Sequence, residues 1–108
     1  MKVILLALAL SLASASAAAQ TPDGAVLYQQ NCRSCHGAKG VPSPGMMTMF
    51  PGLKPLADSA FLAARSEDSL VSVMTNGAGK MKSFKEKLTA EQMAAVARFV
   101  KTLASSGS

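Results

Sequence analysis

Cys32-Arg33-Ser34-Cys35-His36 places two thiols three residues apart and an imidazole directly after them. Two cysteines at that interval on a helix share one face. Both sulfurs can then reach one edge of a planar ligand, with the histidine set beneath its centre. C-x-x-C-H is the spacing of covalent haem attachment, in which the thiols take up the two vinyl groups and the imidazole ligates the iron. A structural zinc site needs four nitrogen or sulfur ligands, and the chain has two cysteines and one histidine. A thioredoxin-like pair needs a strand-rich βαβ setting, and none precedes Cys32. A plain Cys32–Cys35 disulfide is allowed in an exported protein and stays as the lesser reading.

The start of the chain points to export. Met1-Lys2 is a short basic lead, Val3 to Leu12 is apolar apart from Ser11, and Ala17-Ala18-Ala19 offers a small-residue cleavage site. That is the layout of a secretory signal peptide. The apolar run falls short of the roughly 20 residues needed to span a bilayer. The expected organisation is a cleaved signal over residues 1–19 and one small domain over residues 20–108. The mature chain has no expected membrane span. A domain of that size buries a modest share of its surface, and a covalently held haem would give its side chains an apolar plate to pack on. The net charge is +5, from 11 basic and 6 acidic residues. Loss of Lys2 and addition of two haem propionates lower it, and the basic residues that remain are local, which argues against nucleic acid as the partner.

The remaining pattern is helical. Asp23 can cap a first helix running to about Cys35. Gly37 to Gly52, with its glycines and prolines, reads as loop. A short helix fits Ser59 to Ala64. Ser66 caps a helix through Leu70, Val73 and Met74, with Glu67 and Asp68 in its first turn and Gly77 as its stop. Residues 78–88 read as loop. Thr89 and Gln92 form a capping box. Met93, Val96, Phe99, Val100 and Leu103 then mark an amphipathic last helix, and residues 104–108 read as a frayed tail. The expected fold class is all-α, about four to five short helices wrapped around one covalent haem.

An electron carrier needs a second axial ligand, and the candidates are methionines. Met74 and Met93 sit at helical core positions, where methionine is usually filling. Met46, Met47 and Met49 follow His36 closely and would have to leave the histidine side. Met81 lies in the irregular segment Gly77-Ala78-Gly79-Lys80-Met81-Lys82-Ser83-Phe84, whose glycines allow close approach to a haem edge. The metal ligands are therefore read as His36 and Met81.

With these residues in view, the chain from about Asp23 to Leu103 resembles the class I c-type cytochromes, and is similar to small soluble monohaem bacterial members of the c6 type. Gly24 and Tyr28 stand eight and four residues before Cys32, where the family has a glycine and an aromatic. Phe99 matches the aromatic of the family's last helix. Pro51-Gly52-Leu53 matches its Pro-x-Leu. The resemblance implies that the Pro51 carbonyl accepts a hydrogen bond from His36 and that Leu53 packs on the haem. Two departures stand out. Many relatives have proline after the ligand methionine, where this chain has Lys82. Many hold a propionate with tryptophan, and this chain has none; Arg65, Asn76 or a lysine is left for that role.

With both axial positions filled, the iron offers no open site, and the thioether raises the potential. The expected function is one-electron transfer between redox proteins, by a monomeric periplasmic carrier that is no enzyme. Cys32, Cys35, His36, Met81, Pro51 and Leu53 are its expected haem c site. Lys80, Lys82, Lys85 and Lys87 read either as solvated loop lysines or as a basic ring that steers an acidic redox partner. Two alternatives stay open. One is a haem subunit docked permanently on a dehydrogenase or oxidase. The other is a weak peroxidase or gas-binding haem, should the Met81 bond be labile.

Overall fold

A computed structural model describes residues 21–105 together with Ala9 and Ser11, so the signal-peptide reading of residues 1–19 lies otherwise outside the described residues. The described residues form six α-helices and one 3-10 turn: α1 (Gly24–Asn31), α2 (Arg33–His36), α3 (Pro44–Met49), α4 (Ser59–Ala63), α5 (Glu67–Asn76), α6 (Ala90–Thr102) and the turn Leu103–Ser105. Among them there is no strand, only an isolated antiparallel bridge between Ala78 and Met81. The all-α reading holds, with more helices than expected.

Side-chain caps explain most of the helix starts. Asp23 Oδ1 accepts from Ala25 N at 3.0 Å and Val26 N at 3.2 Å. Asp58 Oδ1 accepts from Phe61 N at 2.8 Å, and Ser66 Oγ from Ser69 N at 3.1 Å. The Thr89–Gln92 capping box is complete, with reciprocal bonds of 3.1 and 2.8 Å. The loop expected over Gly37–Gly52 is corrected by α3. Ser43 Oγ accepts from Met46 N at 3.2 Å, and Pro44 sits in the first turn, where its missing N–H costs nothing. The expected frayed tail is corrected in part as well. A 3-10 turn, Leu103–Ser105, continues the chain, and Ala104 packs against the core; residues 106–108 lie outside the described residues.

The core is built on α6. Met93, Ala95, Val96, Ala97 and Val100 are buried along it, and α1 and α5 both pack on it. Leu70 and Met74 of α5, Leu62 of α4 and Tyr28 of α1 complete the same apolar cluster. The α1–α6 crossing is close because Gly24 has no side chain. A Cβ there would stand 2.1 Å from the Ala95 carbonyl oxygen and 3.2 Å from Phe99 Cβ. One turn on, the rings of Tyr28 and Phe99 meet at 5.2 Å between centroids and 55° between planes, a tilted pairing that aromatic quadrupoles favour. On the far side, Lys101 Nζ donates to the carbonyls of Leu62 and Arg65 at 2.5 and 2.6 Å, fastening the end of α4 to α6.

Gly24→Ala should therefore destabilise the protein, although alanine in an open helix would gain up to about 1 kcal/mol over glycine. Phe99→Ala should cost about 3 kcal/mol, the low end for a large aromatic because the ring is only partly buried. Urea denaturation checks both. A midpoint equal to or above that of the parent in Gly24→Ala would show that the crossing has room to spare.

Candidate functional site

The cysteine motif is delivered by α1 and turned out of it at Cys32. The helix expected to run to Cys35 breaks at that residue, at φ −119° and ψ −28°, and resumes as α2. The bonds Cys32 N to Tyr28 O (2.8 Å), His36 N to Cys32 O (2.9 Å) and Gly37 N to Arg33 O (2.8 Å) carry the chain across the break. The fully buried Tyr28 donates its hydroxyl proton to the Gly37 carbonyl at 2.6 Å. Gln29 Nε2 donates to Ala38 O at 3.1 Å. The residue that packs α1 on α6 thus also holds the end of the motif.

This turn forms part of a cavity of about 670 Å³, the size range of cofactor sites. All six residues expected at the site line it: Cys32, Cys35, His36, Pro51, Leu53 and Met81. His36 and Met81 come from α2 and from the α5–α6 loop, far apart in sequence. A second cavity of about 650 Å³ continues from the first past His36, Leu53 and Met81, and adds Lys54, Phe61 and Arg65. The Arg65 guanidinium lies 3.6 Å from the Phe61 ring centroid. Asn76 lines neither cavity and donates to Ser72 Oγ.

Among the other methionines, Met74 and Met93 are buried core residues, as their spacing suggests. Met49, weighed with Met46 and Met47 and set aside as too close to His36 in sequence, lines the first cavity at its mouth, 67% exposed. The signal for it was the Ser43-Pro44 helix start, which carries residue 49 to the rim.

Electrostatics separate the readings of the motif. Burial, aided by the neighbouring Cys35, pushes the Cys32 thiol up to about 11. A redox nucleophile needs the opposite shift. Among the described residues no group of three or more His, Cys, Asp or Glu side chains could hold a metal ion. Desolvation lowers the pKa of His36, which keeps the imidazole neutral, and its Nδ1 is buried with no hydrogen-bond partner. The expected bond from Nδ1 to the Pro51 carbonyl is thus not formed. Pro51 instead lies in a turn closed on itself by Leu53 N to Phe50 O at 2.8 Å. Two thiols, a neutral imidazole with an orphaned ring nitrogen, and a thioether around one mainly apolar space fit a covalently attached, axially ligated haem.

The arm that carries Met81 is more constrained than its sequence suggests. Ala78 and Met81 exchange both backbone bonds, at 3.0 and 2.9 Å. Gly77 has φ 75°, and a Cβ there would lie 2.7 Å from the Met81 carbonyl oxygen. Beyond Met81, Phe84 N donates to Met74 O at 2.7 Å.

Residues 19–100 match the family model described as cytochrome c oxidase, cbb3-type, subunit III. The chain is 33% identical over 91 residues to cytochrome c6 of Leptolyngbya boryana, covering 82% of this chain and 99% of that one. It is 35% identical over 86 residues to cytochrome c6 of Microcystis aeruginosa, covering 79% and 99%. Among solved structures it superposes on the KustC0563 c-type cytochrome with a TM-score of 0.68 and 33% identity, covering 75% of this chain and 96% of that one.

The Tyr28 hydroxyl, chiefly through burial, is pushed from 10.0 up to about 12. The unfolded chain loses this proton first, so the stability due to Tyr28 is complete below pH 10.0 and is lost as pH rises toward 12. Tyr28→Phe should be less stable than the parent at neutral pH, and the gap should close across that window. Urea midpoints of the two proteins at several pH values give the test. A gap of constant size through the window would contradict the assignment.

Proposed function

The chain belongs to the class I c-type cytochromes, which hold haem c covalently, and on that footing we propose that it carries single electrons between larger redox proteins, with Cys32, Cys35, His36 and Met81 holding the haem. The observation that carries this reading is that one cavity takes all four of these side chains. Haem c, when bound, supplies a one-electron ferric/ferrous couple. Cys32 and Cys35 would hold the haem through thioether bonds, each thiol adding sulfur and hydrogen across one vinyl group. His36, neutral at physiological pH because it is desolvated, offers a ring lone pair to the iron. Met81 offers a soft thioether, which favours the ferrous state and raises the potential. Pro51 and Leu53 pack along the ring. Lys54 and Arg65, at the second cavity, suit the two propionate carboxylates.

Were His36 and Met81 both to ligate the iron, no position would be left for a substrate, which supports a carrier over an enzyme. The fixed Met81 arm argues in the same direction. Lys80 and Lys82 stand at the cavity lining, and Lys85 and Lys87 follow on the same loop. This basic rim suits a redox partner with an acidic docking surface. Among the described residues no helix is long and apolar enough to cross a membrane. The signal-peptide pattern of residues 1–19 supports an exported, periplasmic carrier, and a monomer suffices for the task.

The ferric holoprotein should show the weak long-wavelength absorption of methionine-ligated haem. Met81→Ala should lose it and have a lower midpoint potential, whereas Met49→Ala and Met74→Ala should keep both. Retention of the band in Met81→Ala would remove Met81 from the site.

A further inference from the structure

The last turn of an α-helix leaves carbonyls without intrahelical partners. At the end of α5 these carbonyls are taken by the segment that bears Met81. Val73 O accepts from Gly77 N at 2.8 Å, and Met74 O accepts from Phe84 N at 2.7 Å. Thr75 O accepts from the Ser83 hydroxyl at 2.5 Å. The arm therefore leaves α5 at Gly77, turns back through the Ala78–Met81 bridge, and is fastened again to the same helix end at Ser83 and Phe84. Of these restraints, only the one at Ser83 is made by a side chain. It lies two residues past Met81, and Lys82 between them imposes no backbone restraint of its own. Thr75 is itself held, its Oγ1 donating to Val71 O at 2.8 Å and lying 3.7 Å from Met93 Sδ in the core. The anchor point is thus tied to the α5–α6 packing.

We infer that Ser83 is a positioning residue for Met81: its hydroxyl fastens the return leg of the arm to the end of α5 and keeps the thioether directed into the cavity. This rests on Met81 being the second axial ligand. Opening of the iron–thioether bond is eased by movement of the arm away from the cavity, and the Ser83–Thr75 bond opposes that movement. An outside ligand binds only the opened form, so its apparent affinity is scaled by the fraction of molecules with Met81 off the iron. Removing the tether raises that fraction without touching the iron, the cysteines or His36. Ser83 is exposed, so its replacement leaves the core intact.

The test is a titration of ferric holoprotein with imidazole, following loss of the long-wavelength band. Ser83→Ala should bind imidazole about fivefold more tightly than the parent, the scale of one neutral hydrogen bond. Ser83→Thr keeps the hydroxyl and should stay within about twofold of the parent. An affinity in Ser83→Ala equal to that of the parent overturns the inference, even if the urea midpoint falls, because a merely structural hydroxyl would move only the midpoint. Met81→Ala is the control that separates the two levels. If Met81→Ala keeps the parent spectrum and affinity, the ligand assignment itself is wrong; if it loses the band while Ser83→Ala binds as the parent does, only the role of Ser83 falls.

Discussion

The approach of α1 to α6 at Gly24 governs the position of nearly everything else. Contact at that distance is possible only where a side chain is missing, since a Cβ would stand 2.1 Å from the Ala95 carbonyl oxygen. The crossing sets Tyr28 against Phe99, and Tyr28 is also the residue whose hydroxyl holds the Gly37 carbonyl. A helix–helix contact is thereby transmitted to the end of the cysteine motif. The same α6 carries α5 on its other flank, and the end of α5 fastens the Met81 arm. One helix thus fixes both contributors to the cavity, His36 through α1 and Met81 through α5. Two side chains brought to one cavity from distant parts of the chain require some such common reference.

Rigidity at this site has a functional consequence. A redox centre that keeps the same ligands in both oxidation states has little to rearrange when an electron arrives or leaves. The bonds between Ala78 and Met81, and those from Ser83 and Phe84 to α5, hold the thioether arm in a hydrogen-bonded frame. Proline after the methionine would restrict one backbone dihedral; this chain has Lys82 and uses hydrogen bonds to a helix end. The exchange leaves a basic side chain at the cavity lining, where it suits a docking surface as well.

Much of this was legible in the residues. Caps with short polar side chains at Asp23, Ser66 and Thr89 announce their helices because the bond that each makes is local. Cys32, Cys35 and His36 stand out because attachment constrains residue type and spacing directly, Met81 stands out by its glycine-rich loop, and Pro51 and Leu53 enter through the family resemblance; all six line one cavity. What escaped is non-local or overruled by density of punctuation. The glycines and prolines between Gly37 and Gly52 masked α3, although Ser43-Pro44 is itself a helix start. The break at Cys32 has no glycine or proline to announce it. The expected His36–Pro51 bond is absent, and His36 Nδ1 is buried and unpaired. The tie from Ser83 to Thr75 depends on how a loop folds back on a helix end, which no local pattern encodes.

The central claim is that Cys32 and Cys35 exist in the working protein as thioethers to a single haem. Intact mass of the purified, fully denatured protein tests it most directly, since denaturation strips any group held without covalent bonds. The account predicts the polypeptide mass plus one haem, with neither cysteine open to alkylation after reduction. A mass of the polypeptide less two hydrogens, with both cysteines alkylated only after reduction, would mean a Cys32–Cys35 disulfide and would contradict it.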